Sequence, residues 1–327
     1  MKRIALVGTI TVDEVFYIDH YPSKHEITEI VSTKRDTGGI ISNCGIVLAR
    51  LDPNLEIDLH ALIGNDERGD YLDSVFAEYP NIRREGLLRM GQTPYTHVLT
   101  DMVDMSRTFL FSEGNCVILD GKIFEGIREC SLIHVGYPTL LGRLDDFEGD
   151  TTLLAVELKK LKEAGHTVSL DLVSSKKEKF HEIIRPCIPY VDHLIMNEVE
   201  CEKYTKRKVR DADGRLQPEA LEEGIRMLQE DGAAGYVLIH APEGCVGYDA
   251  QTGTMHTVYA KHLEASEIKG TVGAGDAFAA GYLYATVCGV PYAERLHRAN
   301  VTAAALLVSP QGKRGVGRAE ELYKTES

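Results

Sequence analysis

A chain of 327 residues can hold two ordinary domains or one large α/β domain with an appendage, and a hydrophobic fraction of 43% is ample for a core. Lys and Arg number 36 against 50 Asp and Glu, a formal charge of −14, which argues against a nucleic-acid partner because neutralising phosphates takes clustered positive charge. Membrane spans are excluded too, since no apolar run approaches the roughly 18 residues that a span requires. The seven cysteines, Cys44, Cys116, Cys130, Cys187, Cys201, Cys245 and Cys288, show neither C-x-x-C nor close pairing. They read as reduced thiols of a cytoplasmic protein, not as a disulfide frame or a zinc site.

Ile4 to Val7 is a short apolar run ending in Gly8, suited to a central strand of a parallel sheet. Asp13 and Glu14 interrupt it too soon for a signal peptide, and Asp13 falls where functional loops follow such strands. Residues 14–35 mix β-branched and polar side chains, as in Thr28-Glu29-Ile30-Val31-Ser32-Thr33, and read as strands outside the main sheet. Gly38-Gly39-Ile40-Ile41-Ser42-Asn43 then opens an apolar helix through Ile46, Val47, Leu48 and Leu51. Leu59 to Ile63 reads as a strand, with Asn65 and Asp66 organising the turn into the next helix.

Residues 93–115 carry a hairpin signal: Tyr95 to Thr100, a turn near Asp104-Met105-Ser106, then Arg107 to Phe111. Arg107 either reaches a substrate or is a solvated strand side chain. Beyond residue 130, apolar strands at Leu132–Val135 and Val168–Leu172 alternate with helical segments, the signature of a doubly wound parallel sheet. There is no internal repeat, low-complexity tract or linker.

The strand His193–Met196 ends in Asn197-Glu198-Val199-Glu200. Asn197 and Glu200 lie three apart, so at a helix start they face one way. Such a pair either holds the water shell of Mg²⁺, which keeps most of its waters, or simply caps the helix. Gly235–Ile239 and Gly244–Tyr248 are further strands.

The most informative stretch is Gly270-Thr271-Val272-Gly273-Ala274-Gly275-Asp276, followed by the apolar run Ala277-Phe278-Ala279-Ala280-Gly281. A glycine-rich loop that hands over to a buried helix offers unpaired N–H groups and the positive end of the helix dipole, which is an anion site. An acid placed there is repelled by a bound phosphate. Asp276 therefore either caps the helix or takes a proton from a hydroxyl that attacks the phosphorus. The small-residue helix Arg298–Val308, with Asn300, packs against this one, and the turn Gly312-Lys313-Arg314-Gly315 follows.

Taken together, these motifs resemble the ribokinase-like (PfkB) carbohydrate kinases. G-T-V-G-A-G-D followed by A-F-A-A-G resembles the family's C-terminal signature, Gly38-Gly39 with Asn43 its N-terminal G-G-x-x-x-N, residues 63–69 its V-G-x-D-x-x-G, and Asn197 with Glu200 its N-x-x-E. The resemblance implies a single α/β domain with a doubly wound, mostly parallel sheet flanked by helices. It implies a small β-sheet lid inserted at about 14–35 and 93–115, which often serves as a dimer contact.

It implies an ATP-dependent kinase acting on a hydroxymethyl group of a small sugar or polyol. Asp276 would be the base, and Gly273, Ala274 and Gly275 the anion hole. Asp13, Gly38, Gly39, Asn43 and Arg107 would bind substrate. Asn197, Thr271, Gly273, Gly244 and Asn300 would bind the nucleotide, and Glu200 with Asn197 would hold Mg²⁺ through water.

Two departures stand out. Gly270 replaces the Asp that helps hold a monovalent cation in relatives, so potassium dependence does not carry over, and Lys269 is a nearby candidate for a fixed charge. Of the T-x-G-x-x-G turn that touches nucleotide, only Gly244 survives in Ile239-His240-Ala241-Pro242-Glu243-Gly244. The alternatives are a nucleoside kinase of the same family and a catalytically silent sugar- or nucleotide-binding regulator.

Overall fold

The computed structural model describes residues 2–175 and 178–324. In chain order its first half comprises β1 (Arg3–Gly8), β2 (Thr11–Ile18), β3 (Ile30–Gly38), α1 (Gly39–Leu51), β4 (Glu56–Ile63), α2 (Glu67–Ala77), β5 (Ile82–Arg89), β6 (Tyr95–Asp101), β7 (Arg107–Ser112) and β8 (Leu132–Gly136). A short hairpin, β9 (Phe147–Glu148) and β10 (Thr151–Thr152), leads to α3 (Leu153–Glu163), β11 (Val168–Asp171), α4 (Phe180–Ile184), β12 (His193–Asn197), α5 (Glu198–Thr205) and α6 (Pro218–Glu230). The chain ends with β13 (Tyr236–Ala241), β14 (Gly244–Asp249), β15 (Thr254–Tyr259), α7 (Ala274–Val287), α8 (Tyr292–Val308) and α9 (Ala319–Leu322).

Successive residues of a strand point to opposite faces, and the apolar run of β1 uses both. Ile4 and Leu6 enter a core beneath α1, α7 and α8, while Ala5 and Val7 enter a second core with α3, α5 and α6. A sheet buried on both faces is the expected setting for parallel strands. Nine strands run in the order β15-β14-β13-β12-β11-β8-β1-β4-β5. Every neighbouring pair is parallel except β13–β14 and β14–β15. The large mostly parallel sheet read from the sequence is therefore present.

A separate four-stranded sheet has the order β3-β2-β6-β7, with β2 and β6 parallel and the outer pairs antiparallel. It starts earlier than residue 14: β2 begins at Thr11 and β3 runs on to Gly38. Asp13, read as part of the loop after β1, thus sits on a strand of the small sheet. The Ala- and Gly-rich packing of the last helices is also seen, since a Cβ on Gly281 of α7 would meet Thr302 Oγ1 of α8 at 2.4 Å. Among the described residues no helix is long and apolar enough to cross a membrane.

Candidate active site

Strand order places the crevice. From β1 the chain steps outward to β4 and β5, then returns to β8 on the other side of β1. Ligands of open α/β sheets bind at such a switch point, outside the carboxyl ends of the strands. A cavity of about 460 Å³ lies there, lined by Thr9 after β1, Tyr137 after β8, Gly38, Gly39 and Asn43 at the start of α1, and Asp13 of the small sheet.

The two glycines at the β3–α1 junction are dictated by close approach. A Cβ on Gly38 would stand 2.5 Å from Thr11 Oγ1 and 2.8 Å from Asp13 Oδ2. Gly39 has φ +78° and would drive a Cβ to 2.6 Å from the Thr9 carbonyl oxygen. Without side chains here the start of α1 comes up against Asp13. Burial pushes the Asp13 carboxyl above its ordinary range, opposed by Lys313 and by the hydroxyls of Thr96 and Thr11.

Asp276 lies in the first turn of α7. Gly273 enters that helix in the left-handed region (φ +81°), and no side chain caps the end. The first-turn N–H groups of a helix have no partner within it, so this terminus keeps donors for an anion. α2, α3 and α5 differ, each having a side chain on its first-turn amides. The Asp276 carboxylate is buried and takes hydrogen bonds on both oxygens: Asn43 Nδ2 donates to Oδ2 at 3.0 Å, and the Tyr137 hydroxyl donates to Oδ1. Asn43 and Tyr137 line the cavity, so the carboxylate sits directly behind its wall. Burial raises the Asp276 pKa; the bonds from Tyr137 and Asn43 and the charge of Lys313 hold it back.

The fixed positive charge of the site comes from Lys313, in the turn after α8. Its ammonium donates to Asn43 Oδ1 at 2.9 Å and to the Thr37 carbonyl, and pairs with Asp36 Oδ1 at 3.2 Å. Burial lowers its pKa, against the pull of Asp36, Asp13 and Asp276. Because Lys313 claims the amide oxygen of Asn43, the amide nitrogen is turned to Asp276. Lys269, the candidate named from sequence, is exposed and bonds its own loop at the Ser266 carbonyl.

Asn197 and Glu200 form a reciprocal capping box at the start of α5: Glu200 N donates to Asn197 Oδ1 and Asn197 N to Glu200 Oε2, both at 2.8 Å. Ser174 Oγ also donates to Glu200 Oε1 at 3.0 Å. Burial nonetheless pushes Glu200 up to about 7. Asp171, at the end of β11, is raised first by burial and then by the charges of Asp276 and Glu200. A divalent cation would relieve the burial and the nearby negative charges that raise both carboxyls. Among the described residues no group of three or more His, Cys, Asp or Glu side chains could hold a metal ion by itself.

The remaining sequence candidates have structural employment. Gly244 (φ +144°) allows β14 to meet β15, where a Cβ would stand 2.3 Å from the Val258 carbonyl. Asn300 is buried and donates to the Val258 carbonyl at 3.2 Å. Thr271 is exposed, and its carbonyl accepts from Ala274 N at 3.3 Å. Arg107 does not reach the first cavity; it lines a neighbouring one of about 260 Å³ with Lys34 and Lys269. Sequence reasoning missed Tyr137, Asp171 and Lys313. For the first two the available signal was position, at or just past the carboxyl ends of β8 and β11.

The family model for pfkB family carbohydrate kinases matches residues 1–315. The ribokinase of Arabidopsis thaliana complexed with ribose and ATP is similar with a TM-score of 0.80 at 17% identity, covering 99% of this chain and 98% of that one. The ribokinase of Thermotoga maritima gives 0.77 at 18% identity over 98% of both chains. A Methanocaldococcus jannaschii nucleoside kinase, an archaeal member of the ribokinase family, gives 0.72 at 18% identity over 98% of this chain and 97% of that one. At these identities the likeness establishes a shared fold.

Proposed function

The chain belongs to the pfkB family of carbohydrate kinases, and from that premise we propose that it transfers the γ-phosphoryl group of ATP to a hydroxymethyl group of a small sugar or sugar-like polyol. The observation that carries the reading is the placement of Asp276. It joins the uncapped first turn of α7 to Asn43 and Tyr137, which line the same cavity as Asp13 and Gly38.

In this reading Asp13, Asn43 and the Gly38–Gly39 backbone hold acceptor hydroxyls, since a polyol needs donors and acceptors in one fixed geometry. Each Asp276 oxygen retains a lone pair beyond its present hydrogen bond. The acceptor hydroxyl approaches that lone pair and gives up its proton as its oxygen attacks the γ-phosphorus, while the bond from that phosphorus to the β–γ bridging oxygen breaks and ADP leaves. Burial makes Asp276 a stronger base than an exposed carboxylate. The first-turn amides of α7 stabilise the charge on the transferring group, a contribution of about 2.7–4 kcal/mol per donor where it has been measured in enzymes. Mg²⁺, when bound, would neutralise the β- and γ-phosphates, and Asn197 and Glu200 are the residues that would hold it through water.

We further read the chain as one domain in which the four-stranded sheet is a lid, working in the cytoplasm. Exposed Ile30, Val31 and Leu110 on that sheet suit a second copy of the chain, giving a lid-mediated homodimer. The test of the activity is MgATP consumption against a panel of pentoses, hexoses, keto-deoxy acids and nucleosides. Stimulation of ADP release by at least one acceptor is expected; binding of acceptor and ATP without turnover would instead establish the silent regulator.

A further inference from the structure

Charge is distributed unevenly around the crevice. The 460 Å³ cavity is lined by three carboxylates, Asp13, Glu113 and Asp146, and by no Lys, Arg or His among the described residues. The cations Lys34, Arg107 and Lys269 line the neighbouring cavity, which shares only Asp13 and Val272 with the first. Lys313 lies in that second cavity too, with its ammonium engaged by Asp36, Thr37 and Asn43. An acceptor with a carboxylate or phosphate would enter the first cavity against three carboxylates, while the nearby ammonium, Lys313, stands behind Asn43 and is already engaged by Asp36.

Glu113 and Asp146 are not needed by the fold. Both are exposed, and among the described residues neither carboxylate makes an ion pair or a side-chain hydrogen bond. They flank two tight turns, Gly114–Ile118 and Gly142–Asp145, that pack so closely that a Cβ on Gly142 would stand 1.9 Å from the Cys116 carbonyl. The same wall presents Phe111, Val117 and Leu140 to the cavity. The polyol-binding groups Asp13, Gly38, Gly39 and Asn43 come from other segments. At about 460 Å³ the cavity lies within the range that takes drug-sized ligands, so it has room for more than one sugar ring.

Resting on the kinase reading, we propose that Glu113 and Asp146 select the acceptor: a polyol without negative charge that carries a second, apolar-faced group bearing N–H donors, as nucleosides and N-substituted amino sugars do. The carboxylates accept those N–H groups at one end while the sugar presents its hydroxymethyl to Asp276 at the other. Sugar acids and sugar phosphates are rejected by repulsion.

The experiment compares four acceptor sets with MgATP: nucleosides, N-substituted amino sugars, neutral polyols without N–H, and sugar acids or phosphates. Each is measured by ADP release and, separately, by ligand-induced thermal shift. The wild type is set beside Glu113→Gln/Asp146→Asn, whose positions are exposed. The proposal expects an N–H-bearing acceptor to show the highest kcat/KM, and the double variant to raise its KM about tenfold, consistent with loss of hydrogen bonds to charged acceptors. KM for polyols without N–H should change less than twofold.

Preference for an acid or phosphate, or a double variant with unchanged KM for the N–H-bearing acceptor, overturns the proposal and leaves the kinase reading intact. Thermal-shift binding of N–H-bearing polyols that the double variant loses, with no ADP release from any acceptor, overturns the kinase reading and leaves the selectivity standing. No binding of any N–H-bearing compound overturns the selectivity.

Discussion

Lys313→Met tests whether the orientation of Asn43 matters to the base behind it. The ammonium holds Asn43 Oδ1 at 2.9 Å, and this leaves Nδ2 to donate to Asp276 at 3.0 Å. Removing it frees the amide to rotate and withdraws a positive charge that favours ionised Asp276. A hydrogen bond to a charged group contributes about 1.5–3 kcal/mol. If half of that is felt at Asp276, its pKa rises and the rate on the acid limb falls about three- to tenfold at constant pH.

The sign follows from the role. A base acts when deprotonated, burial has already raised the Asp276 pKa, and Asn43 and Lys313 both oppose that rise. Without the ammonium, the acid limb of the kcat/KM profile moves to higher pH. Stability falls as well, because Asp36 loses its buried partner and keeps only the exposed Lys34, at 3.4 Å. The Lys313 and Asp36 side chains are 10% and 31% exposed, so the loss is set below that of a fully buried pair, at about 1–2 kcal/mol. The assay is a pH profile of kcat/KM on protein shown to be folded by urea titration. An acid limb that stays in place with unchanged kcat would refute the positioning role.

Two further expectations concern charge. Glu200 is raised from 4.5 to about 7 by burial, so the folded state binds more protons than the unfolded one across that window and stability falls as pH rises through it. Glu200→Gln keeps a side chain suited to the capping box and should raise Tm relative to wild type at pH 8 but not at pH 5, by the equivalent of about 2–3 kcal/mol at most. Mg²⁺ should narrow the gap, and a Tm difference independent of pH contradicts the argument. Replacing K⁺ by Na⁺ or by an organic cation should leave kcat within twofold. Gly270 offers no carboxylate, and a fixed ammonium already serves the site through Lys313. A tenfold fall would show that a monovalent cation is bound after all.

Much of the crevice was legible because its motifs are local. Gly38 and Gly39 announce a junction where backbone must approach backbone, and Gly273 to Asp276 announce a helix whose first turn no side chain caps. Both readings depend only on neighbours within a turn. The fold class followed from the same kind of information, apolar strands alternating with helical segments.

What escaped depends on distance along the chain. Tyr137 meets Asp276 across 139 residues and Lys313 meets Asn43 across 270, and no local pattern records such contacts. Lys269 looked the better cation because it adjoins the glycine loop, whereas the turn after α8 brings Lys313 inward. Arg107 was read on the correct strand, but which cavity it lines depends on how the small sheet stands over the body. Asn197 and Glu200 show the converse limit, for the spacing that suits a metal's water shell is also the spacing of a capping box.

The most direct measurement is a single-turnover assay of Asp276→Asn with MgATP and whichever acceptor the panel identifies. Asn is nearly isosteric and cannot accept the proton, so phosphoryl transfer should slow by at least about a hundredfold while acceptor binding, measured by thermal shift, stays near wild type. Transfer at the wild-type rate by the folded variant would contradict the account.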